Sequence, residues 1–231
     1  LSKIANEGIA FDSIYASGDR TDKGLIAILS AFPSQAVRSI IHQPDKFEKL
    51  ASLPQSLKGN GYEPFFLYGG ESEFANFKSY LLSTGINHIV DRNNFESSQM
   101  NSKWGAHDGY LFDKLNKELE TKKQPFFAIT LTLSSHEPFE IPIESSFKGE
   151  DLPQLFRKSA NYTDQCIEKF MQAAKKEKWY NQTLFVFVAD HGHRLPKSYS
   201  TAYDFRKFRI PLIFAGNVIK PEFRGKRIHM L

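Results

Sequence analysis

The stretch "LFVFVADHGHRLP", Leu184 to Pro196, runs from a nearly unbroken apolar segment into an acid, two histidines and an arginine. Its first half is rich in aromatic and β-branched residues and lacks polar alternation, the pattern of a strand covered on both faces. Its second half places Asp190, His191, His193 and Arg194 where that strand leaves the core. A strand that ends in such side chains is a candidate support for a reactive site, so the rest of the chain is read outward from it.

Four other runs have strand character: "IAFDSIYA" (9–16), "EPFFLYG" (63–69), "PFFAITLTL" (125–133) and "IPLIFAG" (210–216). Helical periodicity separates them, in "DKGLIAILSAF" after Thr21, in "LASLPQSLKGNG" with Pro54 near its start, in "EFANFKSYLLSTG", in "HDGYLFDKLNKELETKK" and in "LFRKSANYTDQCIEKFMQAAKKEK". Alternating strands and helices predict an α/β domain with a mostly parallel central sheet and helices on both faces. The segment "HEPFEIPIESSFKGEDLP" (136–153) carries neither pattern and reads as a long loop, a common place for function.

Composition narrows the class. The chain has 231 residues, 41% hydrophobic and 24% charged, which suits a globular fold and excludes disordered or fibrous ones. Its formal charge of +4 is spread along the chain. No basic stripe is interleaved with aromatics, so nucleic acid is not an expected partner. The lone cysteine, Cys166, is spaced to share a helix face with Tyr162 and Phe170 and is read as a packing residue. No apolar run approaches the roughly 20 residues of a membrane span. The start, "LSKIANEG", reads as part of a helix, and the chain is expected to be a piece (1–231) of a longer protein, truncated at both ends.

In open α/β sheets, ligands gather beyond the carboxyl ends of the strands. That rim collects Asp190 and His191, then His136 after "FFAITLTLSS", Tyr68 and Gly69 after "FFL", and Arg20 and Thr21 at the mouth of a helix. A carboxylate beside an imidazole suits a divalent ion such as Zn²⁺ or Mn²⁺, though Asp190 also suits a turn cap and His191 a backbone hydrogen bond. Thr21 has two uses as well. It fits an N-cap hydroxyl, the commoner role by residue type, or a nucleophile at a helix N-terminus. Arg20 fits an anion clamp or an exposed ion pair.

The blocks "ASGDRTDKGLIAILSAFPSQ", "FFLYGGESEFANFKSYLLSTG", "KWGAHDGYLFDKL", "FFAITLTLSSHEPFEIP" and "VFVADHGHRLP" occur in an order that resembles the lipoteichoic acid synthase branch of the sulfatase and alkaline phosphatase superfamily. The resemblance spans nearly the whole chain. It implies an alkaline phosphatase/sulfatase-like sandwich, extracytoplasmic, in a parent protein anchored to the cytoplasmic membrane through segments outside these residues. It implies that Thr21 is the nucleophile and a metal contact, that Asp190 and His191 are further ligands of one Mn²⁺ or Zn²⁺, and that His136 meets the transferred phosphoryl group. Tyr68, Asn76 and Lys78 fall where relatives bind a glycerol-phosphate headgroup, with Tyr68 in place of a histidine. The family's remaining ligand, a glutamate on a first strand upstream, has no counterpart here, and Glu7 does not replace it.

The expected activity is metal-dependent transfer of a phosphoglycerol- or phosphoethanolamine-type headgroup from a membrane lipid through a phospho-threonine intermediate, with Arg20 offsetting charge. His193 and Arg194 are read as groups that orient the phosphate or the metal shell, or else as part of a polar loop, and His107 as lining the substrate mouth. His42, His88 and His229 are read as surface or packing residues. Two rivals use the same observations: a phosphodiesterase or sulfatase-like hydrolase with water as acceptor, and a non-catalytic extracellular binding domain. Sulfate-ester chemistry through formylglycine is disfavoured, because Cys166 is followed by "IEKF" and not by the proline-or-alanine and arginine spacing that this modification requires.

Overall fold

Residues Phe65, Phe66 and Leu67 are completely buried in the strand Glu63–Tyr68, and their alternation explains the architecture around them. Phe65 and Leu67 enter one apolar cluster, while Phe66 and Tyr68 enter another on the opposite face. The computed structural model of the chain describes residues 1–196 and 204–230. In chain order its elements are α1 (Ser2–Glu7), β1 (Ile9–Asp12), α2 (Thr21–Ser30), α3 (Pro44–Phe47), α4 (Leu53–Gly59), β2 (Glu63–Tyr68), α5 (Phe77–Ser83), β3 (His88–Val90), α6 (Asp108–Thr121), β4 (Phe126–Leu131), α7 (Leu152–Ala174), β5 (Phe185–Val188), β6 (Leu212–Ala215) and β7 (Lys226–His229).

The strands form two sheets. A three-stranded parallel sheet has the order β3-β2-β4, and a mixed four-stranded sheet has the order β5-β6-β1-β7. In the mixed sheet β6 is antiparallel to both β5 and β1, and β1 is parallel to β7. The expected α/β sandwich is therefore present, with its parallel character concentrated around β2. Among the described residues the outer margins of β4 and β5 pair with no other strand. That explains why these two very apolar strands are half-exposed while β2 is closed off on both faces.

Helix α7 underlies both sheets. Asp151 caps it by accepting from the Gln154 amide, and Tyr162, Cys166, Phe170 and Ala174 recur every four residues on its buried face. Phe170 meets Phe185 of β5, and Trp179 just beyond the helix meets both Phe126 of β4 and Phe185. Burial pushes the Cys166 thiol up to about 11, in keeping with its packing role. Helix α2 covers the other face of the parallel sheet with Leu25, Ile26 and Leu29.

Three elements differ from their sequence patterns. Helix α5 starts at Phe77 instead of near Glu73, because Ala75 and Asn76 take left-handed φ values of 49° and 67°. Strand β1 ends at Asp12, where Ser13 turns to φ 63°. Strands β3 and β7 were not anticipated. Each is short, three residues in β3 and four in β7, and its pairing with β2 or β1 sets its conformation.

One close approach ties α2 to the rim. A Cβ added to Gly24 would lie 2.1 Å from the Asp190 carbonyl oxygen, so the first turn of α2 rests directly on the backbone that follows β5. Gly24→Ala is expected to cost about 1–3 kcal/mol of stability by forcing these backbones apart. Denaturant unfolding checks this, and wild-type stability in the variant would contradict the contact.

Candidate active site

Thr21 is the first residue of α2, and Arg20 occupies the N-cap position. The capping role suggested by residue type therefore falls to Arg20, whose carbonyl accepts from the Lys23 and Gly24 amides, while no side chain closes the helix end. Residues three apart share a helix face. Thr21 thus lies on the face of Gly24, which is the face that meets Asp190. The side chain of Arg20 is 63% exposed, with Nε 3.8 Å from the buried Asp22 carboxylate. Asp22 Oδ1 has no hydrogen-bond partner among the described residues, and His42 Nε2 stands 3.7 Å from Oδ2. His42, read from sequence as surface or packing, in fact flanks the start of α2.

Asp190 and His191 are half-buried side by side, with His191 Nε2 3.7 Å from Asp190 Oδ2. His191 Nδ1 faces the Gly192 carbonyl at 2.8 Å, and a carbonyl only accepts, so Nδ1 carries the proton and Nε2 keeps a lone pair. That is the state required of a metal-ligating imidazole. Among the described residues no three or more His, Cys, Asp and Glu side chains are grouped to hold a metal ion. Asp190 and His191 supply one carboxylate and one imidazole, a pair that fits part of a divalent-ion shell.

Tyr68 closes the site from β2. It is 7% exposed, and burial together with the nearby Asp190 charge pushes its hydroxyl up to about 12, so it stays a neutral phenol at neutral pH. Behind it Gly69 and Gly105 pass so closely that side chains there would strike backbone.

His136 stands after β4, close enough to His193 to help lower the pKa of that imidazole. Its Nδ1 faces the Leu133 carbonyl at 3.2 Å and its amide donates to the same oxygen. By the same reasoning Nδ1–H is the donor and Nε2 is left for a ligand. Trp104 borders it, with ring centroids 6.3 Å apart and its indole N–H donating to the Glu137 carbonyl.

The remaining sequence candidates have more structural placements. His193 stacks on Phe156 at 4.9 Å and meets Phe139 edge-on, and burial holds it below the usual imidazole range. It forms a neutral wall of the site. Arg194 is exposed, 3.6 Å from Glu137. Asn76 donates to the Ile41 carbonyl, and Lys78 is exposed and paired with Glu73 at 3.0 Å. His107 does not line an open mouth: it is 2% exposed, immediately before α6, with Nδ1 3.4 Å from Ser134 Oγ. Its ring meets Tyr162 edge-on, with centroids 6.0 Å apart, and burial holds it below the usual imidazole range.

The chain is similar to several known proteins. The chain is 26% identical over 252 residues to lipoteichoic acid synthase 2 of Bacillus subtilis, covering 99% of this chain and 38% of that protein. It is 26% identical over 181 residues to phosphoglycerol transferase I of Xanthomonas campestris pv. campestris, covering 74% of this chain and 26% of that protein. It therefore spans well under half the length of these curated relatives. A solved protein of the alkaline phosphatase superfamily from Vibrio parahaemolyticus superposes with a TM-score of 0.86 at 28% identity, covering 100% of this chain and 56% of that one. The family model described as Sulfatase matches residues 1–231, and this chain belongs to the sulfatase family.

Proposed function

We propose that this domain transfers a phosphoryl-linked headgroup, of the phosphoglycerol or phosphoethanolamine type, from a membrane lipid to an acceptor hydroxyl. The observation that carries the reading is the packing of the first turn of α2, which Thr21 opens, on the backbone of Asp190. The kinship with a lipoteichoic acid synthase and a phosphoglycerol transferase favours a phosphodiester donor and transfer over hydrolysis. An extracytoplasmic site in a membrane-anchored parent follows from the same kinship. Among the described residues no helix is long and apolar enough to cross a membrane.

When bound by Asp190, His191 and Thr21, a divalent ion, Mn²⁺ or Zn²⁺, supplies the positive charge that favours the ionised threonine. A carboxylate from outside these residues would complete its shell, and the unpaired margins of β4 and β5 suit an additional strand that brings it. Thr21 Oγ1, its proton lost to solvent, bonds to phosphorus as the bond from phosphorus to the lipid alcohol breaks. The departing oxygen takes the proton that His136 Nε2 has gained from solvent before the step, and leaves as diacylglycerol. An acceptor hydroxyl then gives its proton to His136 Nε2 and bonds to phosphorus, and Thr21 is released and reprotonated from solvent. Arg20, largely exposed at the helix mouth, turns to the phosphate oxygens and offsets their charge. Tyr68 donates a hydrogen bond and does not act as a base.

The test is diacylglycerol release from phosphatidylglycerol vesicles by the full-length protein with Mn²⁺ or Zn²⁺. Thr21→Ala is expected to lower the rate by at least about 10³-fold, as for loss of a nucleophile. His136→Ala is expected to cost about 10²–10⁴-fold, as for loss of an acid–base group. Undiminished release by Thr21→Ala would overturn the reading. Because Tyr68 titrates near 12, Tyr68→Phe is expected to leave the shape of the pH–rate profile unchanged below pH ~10. Loss of a limb in that range would assign Tyr68 a proton-transfer role instead.

A further inference from the structure

Asp108, at the first position of α6, is completely buried, and its carboxylate is fully engaged. Oδ1 accepts from the Leu133 amide at 2.7 Å and from the Ser134 amide at 3.2 Å, and Oδ2 accepts from the Thr163 hydroxyl of α7 at 2.6 Å. In return, the Asp108 amide donates to Ser134 Oγ at 3.0 Å. A buried carboxylate spends much of its desolvation cost on such bonds, and charged acceptors form stronger ones than neutral groups. The peptide it grips is the one that holds the catalytic histidine. The Leu133–Ser134 peptide presents its N–H to Asp108 and its C=O to His136 Nδ1.

We propose that Asp108 is a positioning residue for His136, acting through the Leu133–Ser134 peptide as an aspartate–histidine pair with one peptide group between its members. The carboxylate polarises the peptide, because hydrogen bonds in a chain strengthen one another. The Leu133 carbonyl becomes a better acceptor, which fixes the proton on Nδ1, aims Nε2 at the phosphoryl group and favours the imidazolium that donates to the leaving oxygen. The anchoring of α6, α7 and the end of β4 at one carboxylate also holds the imidazole against rotation. No direct contact joins the two side chains among the described residues, and their separation of 28 positions in sequence conceals the link.

The kinetic part of the proposal rests on the transferase reading above, whereas the tautomer part does not. Asp108→Asn keeps an oxygen for both amides and a group for Thr163, so it removes charge with little change of shape. In the full-length protein labelled with ¹⁵N-histidine, NMR is expected to find the wild-type His136 proton on Nδ1. The population is expected to shift toward Nε2 in Asp108→Asn and further in Asp108→Ala. Asp108→Asn is expected to lower kcat by about 10–100-fold, the usual range for a group that orients a site residue, with KM within about twofold. In a His136→Gln background it should add less than about twofold, because it acts through His136. An unchanged tautomer in both variants, or a loss that multiplies in full with His136→Gln, would overturn the proposal. If the wild-type protein releases no diacylglycerol, the transferase reading fails and the tautomer measurement alone decides this one.

Discussion

The fold depends on a backbone contact that tolerates no side chain: the first turn of α2 lies on the carbonyl of Asp190 through Gly24. The two sheets share no hydrogen-bonded ladder among the described residues, so their alignment comes from elements that touch both. Helix α2 does so at the rim. Helix α7 and Trp179 do so beneath, packing Phe126 of one sheet and Phe185 of the other against a common apolar surface. Together these contacts bring the ends of β2, β4 and β5 to one edge.

At that edge, charge is separated from a largely neutral surround. The ionisable groups that face outward are Asp190, His191 and Arg20, while Tyr68 stays protonated and His193 is held uncharged by burial between aromatic rings. Both His136 and His191 have Nδ1 turned to a backbone carbonyl, which leaves Nε2 for chemistry in each case.

Much of this was legible from sequence because apolar runs that end in polar residues mark strand ends, as in "LFVFVADHGH" and "FFLYGG". The cluster of Tyr68, His136, Asp190 and His191 followed from that rule alone. What escaped it were features set by tertiary contact. Strands β3 and β7 are short and owe their form to their neighbours. The late start of α5 depends on left-handed residues at Ala75 and Asn76, which a helical periodicity does not reveal. His107 looks like a mouth residue beside Asp108, yet the start of α6 turns it into the core, and Asp108 proves the more telling of the pair. Ser134 was likewise invisible as a partner, since hydroxyls in "TLSSH" carry no signal of what they bond.

The central claim is that Thr21 takes up the transferred group. Its most direct test is intact-mass spectrometry of the full-length protein, loaded with Mn²⁺ or Zn²⁺ and incubated with phosphatidylglycerol, followed by peptide mapping. The account predicts a glycerol-phosphate adduct on Thr21 that is absent from Thr21→Ala. Diacylglycerol release without any adduct, or with the adduct on another residue, would contradict it.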